Sequence, residues 1–588
     1  MFRITLIFSF FLMVVFTSPL PAVGTGEIPP SLGQISDNYI TAWKGFYPTL
    51  ALANGDKSSA FKFETISREI INKWLAVNRD TLNRLGKIGI PSDFNDRVDV
   101  KILRRTARLE IEKWAPVGVD GRAPGWTTAM VSQALTHVLV RKNFSIQERL
   151  RAVALRLRGI QKLCRDARSS LKSGPPVETQ RSIRGLRSAA RFFRDQLPTI
   201  SATGDGLEPA YFSKSMCQET AAAIESLADH LRDHILPTAG RADALGRSAY
   251  HRNLQLYTGL NISTEKLASI SFAEIQRVRK KIQSLAHRYW RQRHPQQADS
   301  PDAEKIVSMA MSQMESNREG NQKDFLELFK RLIDRVESFV VEKNLAPMPA
   351  QQTLFTALSP SHFAGAAVGG VYPAGPFDPD ADTLFYLPTI PDKTDKETKD
   401  GFYRSFNNHF NTMIIPHEII PGHYLQLKMA AGHRRLVRGL FGGDLFAEGW
   451  ASLCEEITLD HGWDGDHPLT RLAHLRKRLE NAVRAYVSVR VHCDGWDQKK
   501  MTDFAVNTGW LPPQFALNLW QRVIASPFQL TSYFLGYTAF AEAYLSEQRR
   551  LGKAFSVHDF SKKILEAGSV PVDMLPALFL SGPDRPQT

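Results

Sequence analysis

Apolar side chains in this chain recur at three- and four-residue intervals and seldom alternate, a pattern that restricts it to a mainly α architecture. Ile146, Leu150, Val153, Leu157 and Ile160 form one such stripe, with Arg151, Arg156 and Arg158 expected on its solvated face. Ser271 and Glu274 make a capping-box pattern ahead of Ile275, Val278, Ile282 and Leu285. Further helical runs cover residues 471–491 and 529–550. The chief exception is Thr383-Leu384-Phe385-Tyr386-Leu387-Pro388, a short strand after the turn-rich YPAGPFDPDAD. Two readings fit it equally: a strand whose edge pairs with an extended peptide, or a structural hairpin strand.

The 588 residues, 43% hydrophobic and 23% charged, suffice for one large or two medium domains with an ample core. No internal repeat divides them, and the coarse partition is a helical half over 25–345 and a second half over 346–588. Residues 1–24 read as a secretory signal: Arg3, an apolar stretch from Ile4 to Phe16, then Ala22-Val23-Gly24 ahead of a cleavage point at Thr25. The stretch is short for a bilayer span, so the expectation is an extracytoplasmic protein without an integral span after cleavage. Cys164, Cys217, Cys454 and Cys493 are too sparse for a disulfide scaffold and form no CxxC site; paired and packed thiols both fit. The net charge of +14 is spread over amphipathic helices, so no nucleic-acid partner is expected. Neither a GxxxxGK[ST] phosphate loop nor a GxSxG nucleophile elbow is present.

Against this background stands His417-Glu418-Ile419-Ile420-Pro421-Gly422-His423, with Phe446-Ala447-Glu448-Gly449-Trp450-Ala451 downstream. A catalytic zinc takes three His or carboxylate ligands and leaves a position for water, whose proton a separate carboxylate removes. In a helical HExxH the two imidazoles sit one turn apart on one face, with the Glu as base. Here six residues separate them, and at about 100° per residue an unbroken helix would aim them roughly 120° apart. Pro421 removes a helical hydrogen bond and Gly422 tolerates unusual dihedrals, so the segment reads as HExxH with two inserted residues absorbed in a kink or π-bulge. Pro416 permits a helix start at His417 instead. Alternatively, Phe406, Phe410, Met413 and His417 place His417 on the buried side of a helix running through. The third ligand is Glu448 or Glu455; the latter, seven residues along the same face, fits equally as the hydrogen-bond partner of a ligating imidazole.

HEIIPGHYLQ and FAEGWASLCEE resemble the two signature segments of the bacterial domain-of-unknown-function 885 family, regarded as zinc-peptidase-like proteins of the gluzincin type. The segments from Leu245 to Ile282, from Arg484 to Trp496 and from Gln529 to Gly536 resemble three further ones, so the similarity covers about 245–545. It implies a large helical, two-lobed fold around a central cleft with a small β element near the site. It implies one zinc at His417, His423 and Glu448, and Glu418 as general base. His492 and Tyr533 would approach the substrate as oxyanion donors. The preference for Glu448 also rests on Glu-Gly-aromatic-Ala, which resembles the third-ligand segment of the aminopeptidase N superfamily. Ser488 and Arg490 depart from the family pattern, where Asp and Gly are usual, and an arginine near the cleft would alter substrate choice.

The resulting expectation is a zinc-dependent hydrolase cleaving short peptides. An amidase or esterase with the same water chemistry, and an inactive extracytoplasmic binding or scaffold protein retaining the fold, are the alternatives. Oligomeric state is not legible.

Overall fold

The computed structural model describes residues 31–581 apart from 115–122, 203–212, 239–242, 298–300, 350–352, 360–369 and 391–393. The expected signal segment lies outside the described residues. Helices dominate, and the sequence stripes become their buried faces. Those that bear on the site are α1 (Phe94–Trp114), α2 (Ile146–Ser170), α3 (Thr264–Arg293), α4 (Asn408–Glu418), α5 (His423–Ala431), α6 (Asp444–Asp460), α7 (Pro468–Asp494), α8 (Pro513–Ala525) and α9 (Gln529–Leu551). The two late helical runs read from sequence correspond to α7 and α9.

Two helical readings need correction. On α2, Val153, Leu157 and Ile160 are buried as expected and Leu150 half-buried, whereas Ile146, in the first turn, is exposed; Arg156 is buried too, and its guanidinium donates to the carbonyls of Ala60, Ser59 and Ala134 and to Thr49 Oγ1. A guanidinium can be buried when its donors find acceptors, and periodicity does not reveal where those acceptors lie. On α3, the cap is Ser263, whose side chain accepts from the Lys266 N–H, and Ser271 lies mid-helix with its hydroxyl on the Leu267 carbonyl. A capping box does form at Ser145 and Glu148, ahead of α2.

The expected strand is β3 (Thr383–Leu387), in a sheet with β1 (Leu354–Leu358) and β2 (Gly370–Tyr372). β3 is central: it pairs with β1 in parallel, Thr356 opposite Phe385, and with β2 antiparallel, Val371 opposite Phe385. Both its edges are therefore occupied, which removes the reading in which a bound peptide pairs with it.

One apolar core runs from Ile35 to Leu578. Across the position-345 boundary, α3 packs along α7, and α1 is bolted to the second half by Asp99, which pairs with Arg435 and Arg438 at 2.7 and 2.9 Å. A close crossing lies between α6 and α9. A Cβ placed on Gly449 would sit 2.4 Å from the Gly536 carbonyl carbon, so the two backbones touch there, and neither glycine leaves room for a larger residue. Among the described residues no helix is long and apolar enough to cross a membrane.

Candidate metal centre

The HEIIPGH segment is a break between two helices, replacing the expected kink or bulge within one. α4 is capped by Asn407, starts after Phe406 and contains Pro416 in its interior, so neither a start at His417 nor continuity from Phe406 holds. Pro416 has no N–H to give the Thr412 carbonyl four residues back, and the Trp463 indole supplies the missing donor at 2.8 Å. After Glu418 the chain leaves helical dihedrals at Ile419, passes through a cis Ile420–Pro421 bond, and α5 begins at His423. The Gly422 N–H donates to the Pro416 carbonyl at 3.0 Å, and a Cβ on Gly422 would lie 1.9 Å from the His417 oxygen. Only glycine fits this reversal. The Trp450 indole donates to the Pro421 carbonyl at 2.8 Å, tying the break to α6.

The break brings the rings of His417 and His423 to a centroid separation of 4.7 Å at 84°. Glu448 Oε2 lies 3.5 Å from Nε2 of each. One ligand atom from each of the three residues falls within 4.8 Å of the others. A separation of 3.5 Å is too long for a good hydrogen bond, and among the described residues that buried oxygen has no hydrogen-bond partner. The spacing suits a shared cation: bonds of about 2.0–2.1 Å put tetrahedral ligands roughly 3.3–3.4 Å apart.

Behind His417, Glu455 is 1% exposed and its two oxygens bridge Nδ1 of His417 at 2.8 Å and Nδ1 of His474 at 2.9 Å. A proton on His417 Nδ1 leaves the Nε2 lone pair facing Glu448. The charges agree with this layout. Burial opposes ionisation of Glu455, yet the two imidazoles outweigh it and hold the carboxyl near 2. Burial likewise opposes a charged Glu448, and His417 and His423 hold it well below the usual carboxylate range. Burial disfavours an imidazolium at His417, but Glu448 and Glu455 lift it to about 10. In the absence of a metal the two carboxylates thus favour a proton on His417, and a divalent cation at the same place would offset the same negative charge.

Glu418 is half-buried at the end of α4 and opens into a cavity of about 370 Å³. Of the candidate site residues at the break, Glu418 lines that space, and its chain neighbour His417 belongs to the ligand cluster. Tyr533, on α9 one turn before the Gly536 crossing, accepts from Gln529 at 3.1 Å. Burial and the nearby Glu448 charge push its hydroxyl up to about 12, which keeps it a donor.

His492 is placed elsewhere. It lies 18 residues beyond His474 on α7, about 27 Å along the axis at 1.5 Å per residue. Its Nδ1 accepts from the Leu245 N–H at 3.1 Å, its Nε2 meets the Val523 carbonyl at 2.9 Å, and its ring stacks on Tyr250. Both nitrogens serve packing, so the oxyanion role does not fit it. Ser488 bonds Tyr250 and the Pro527 carbonyl, and Arg490 pairs with Asp494 at 2.6 Å. These two departures therefore stand away from the cavity. The four cysteines are free thiols.

Sequence reasoning missed His474 and the cationic residues of α7 and α8 at the cavity, Lys477, Arg484 and Arg522. Their only signal was a polar helix face, which reads as solvated unless a partner wall is known.

A sequence profile of the bacterial proteins of unknown function DUF885 matches residues 48–578. The chain belongs to that family. The DUF885 match reaches well ahead of residue 245, where the motif similarity began. No curated protein matches the chain. Two of the solved structures similar to it share its fold. One is described as "a putative lipoprotein of unknown function" from Shewanella oneidensis, at TM-score 0.77 and 21% identity, covering 94% of this chain and 100% of that one. The other is described as a "putative lipoprotein" from Colwellia psychrerythraea, at TM-score 0.74 and 16% identity, covering 94% and 99%. At these identities the likeness speaks for the DUF885 fold alone.

Proposed function

We propose that this DUF885 chain is an extracytoplasmic zinc-dependent hydrolase, a metallopeptidase acting on short peptides. The observation that carries the reading is the convergence of His417 Nε2, His423 Nε2 and an orphaned Glu448 oxygen beside a carboxylate that faces a cavity. Two imidazoles and one carboxylate are a catalytic rather than a structural zinc set. A zinc ion held there supplies Lewis-acid polarisation of a carbonyl and lowers the pKa of water toward neutrality.

The chain's own groups then divide the work. Glu418 takes a proton from the attacking water and delivers it to the leaving amine. The Tyr533 hydroxyl donates to the oxygen on which negative charge develops. Glu455 holds the His417 ring in one tautomer, and His474 holds Glu455. The location is supported by the signal-like residues 1–24 and by the two lipoprotein descriptions attached to the structural neighbours.

Metal analysis of the purified protein paired with Glu418→Gln tests the reading. The expected result is about one zinc per chain in parent and variant, with hydrolysis of a peptide panel abolished in the variant. Equal turnover by the two proteins would remove Glu418 as base, and a zinc-free parent protein would remove the metal site.

A further inference from the structure

The lining of the cavity at Glu418 is of two kinds. Phe329, Phe385, Phe406, Phe410 and Trp510 make an aromatic wall, and Lys477 and Arg484 of α7 with Arg522 of α8 contribute cations, next to Arg476 and Glu480. Pockets that bind small ligands combine an apolar lining with a few placed polar groups, and 370 Å³ lies toward the small end of their range.

The cations are poorly compensated. Arg484 is 7% exposed and pairs with Glu480, but its buried Nε has no hydrogen-bond partner among the described residues. Lys477 forms no ion pair among the described residues and lies over the Tyr533 ring at 5.6 Å from its centre. Arg522 donates to the neutral Gln529 side chain at 3.1 Å and meets no carboxylate in an ion pair among the described residues. Burial pulls the pKa values of Lys477 and Arg522 down. Glu480 is the carboxylate that pairs with this group among the described residues, and the Glu455 and Glu448 charges reach Lys477 from the candidate metal centre; two half-buried cations and an orphaned guanidinium N–H remain an arrangement that is costly unless a further anion arrives.

A peptide offers such an anion at one end. Its interior amides are neutral, whereas its terminal α-carboxylate is planar and accepts two parallel N–H bonds from a guanidinium. We propose that the cavity receives the carboxyl-terminal end of a peptide, with Arg484, Arg522 and Lys477 facing its α-carboxylate and the aromatic wall holding an apolar side chain. The chain then trims peptides from that end. Water adds across one amide: its oxygen bonds to the acyl carbon, the C–N bond breaks, and the amine leaves with the proton passed by Glu418. This inference rests on the hydrolase reading for its chemistry but not for its binding.

The test compares an N-acetylated peptide ending in phenylalanine with its carboxamide and with a carboxamide carrying an added aspartate. Each is titrated calorimetrically into zinc-loaded Glu418→Gln protein and offered to the parent enzyme. The free acid is expected to bind roughly 10- to 100-fold tighter than the carboxamide, the range of a charge-assisted hydrogen bond. Arg522→Gln and Lys477→Gln, each combined with Glu418→Gln, are expected to erase most of that ratio while leaving carboxamide affinity in place. Equal binding of acid and carboxamide, or tight binding of the aspartate carboxamide, would overturn the proposal. Acid-selective binding without turnover by the parent would retain the binding half of this inference and sink the trimming step together with the hydrolase reading. Turnover indifferent to amidation would do the reverse.

Discussion

The indole N–H of Trp450 donates to the carbonyl of Pro421 at 2.8 Å, so the helix carrying Glu448 also fixes the break between His417 and His423. Trp450 is fully buried, and removing the donor leaves that carbonyl unpaired. Trp450→Phe should cost about 1–3 kcal/mol of stability. It should also weaken zinc binding, measured by chelator competition, because the two imidazoles lose their fixed separation. A variant with lower stability but unchanged zinc affinity would show that the break holds its shape without α6.

Glu455→Gln keeps the volume of the bridge between His417 and His474 and removes its charge. Zinc affinity is expected to fall about 10- to 100-fold, the usual consequence of losing a carboxylate behind a ligating imidazole. Parallel competition titrations of parent and variant measure this, and equal affinities would rule out the bridge as a tuning element.

Zinc should stabilise the folded chain by mass action, about 2.7 kcal/mol at a free concentration 100 times Kd. The thermal midpoint of the metal-depleted protein should rise on adding zinc, and that rise should vanish in His423→Ala. An undiminished rise in the variant would place the ion elsewhere.

Tyr533→Phe tests the donor assigned to the developing oxyanion. It should lower kcat about 100-fold with zinc content and KM little changed, since the interaction forms as charge develops. A change confined to KM would make Tyr533 a binding group instead.

The Gly449–Gly536 contact yields a stability prediction independent of chemistry. Gly449→Ala drives a methyl group into backbone, and an overpacked site of this kind costs roughly 1–3 kcal/mol. Gly536→Ala should behave alike, and the double variant should lose less than the sum, because one methyl already separates the helices. Additive losses in urea unfolding would mean that the two positions relax separately.

Legibility from sequence followed the range of each physical cause. Apolar periodicity is local, so α2, α7, α9 and β3 were readable. That the two imidazoles and Glu448 come together was readable, because the proposed metal chemistry restricts residue types and spacing. Arg156, His474 and Arg484 were not, since their roles depend on acceptors or charges brought from distant parts of the chain. His492 misled for the same reason: a histidine in a family-like segment has the same appearance whether it meets a substrate or two backbone groups. The nature of the Pro-Gly interruption was half visible. The residues foretold a departure from helix, while its form depends on the Gly422–Pro416 and Trp450–Pro421 bonds.

His474, Lys477, Glu480 and Arg484 share one rigid rod, α7. With the rise fixed at about 1.5 Å per residue, about 15 Å of axis separates Arg484 from His474, which backs Glu455 and through it the His417 ring. Under the proposed anchoring, relocating the cation from position 484 to position 480 would shift the held carboxylate by about 6 Å, enough to change the product by one or two residues.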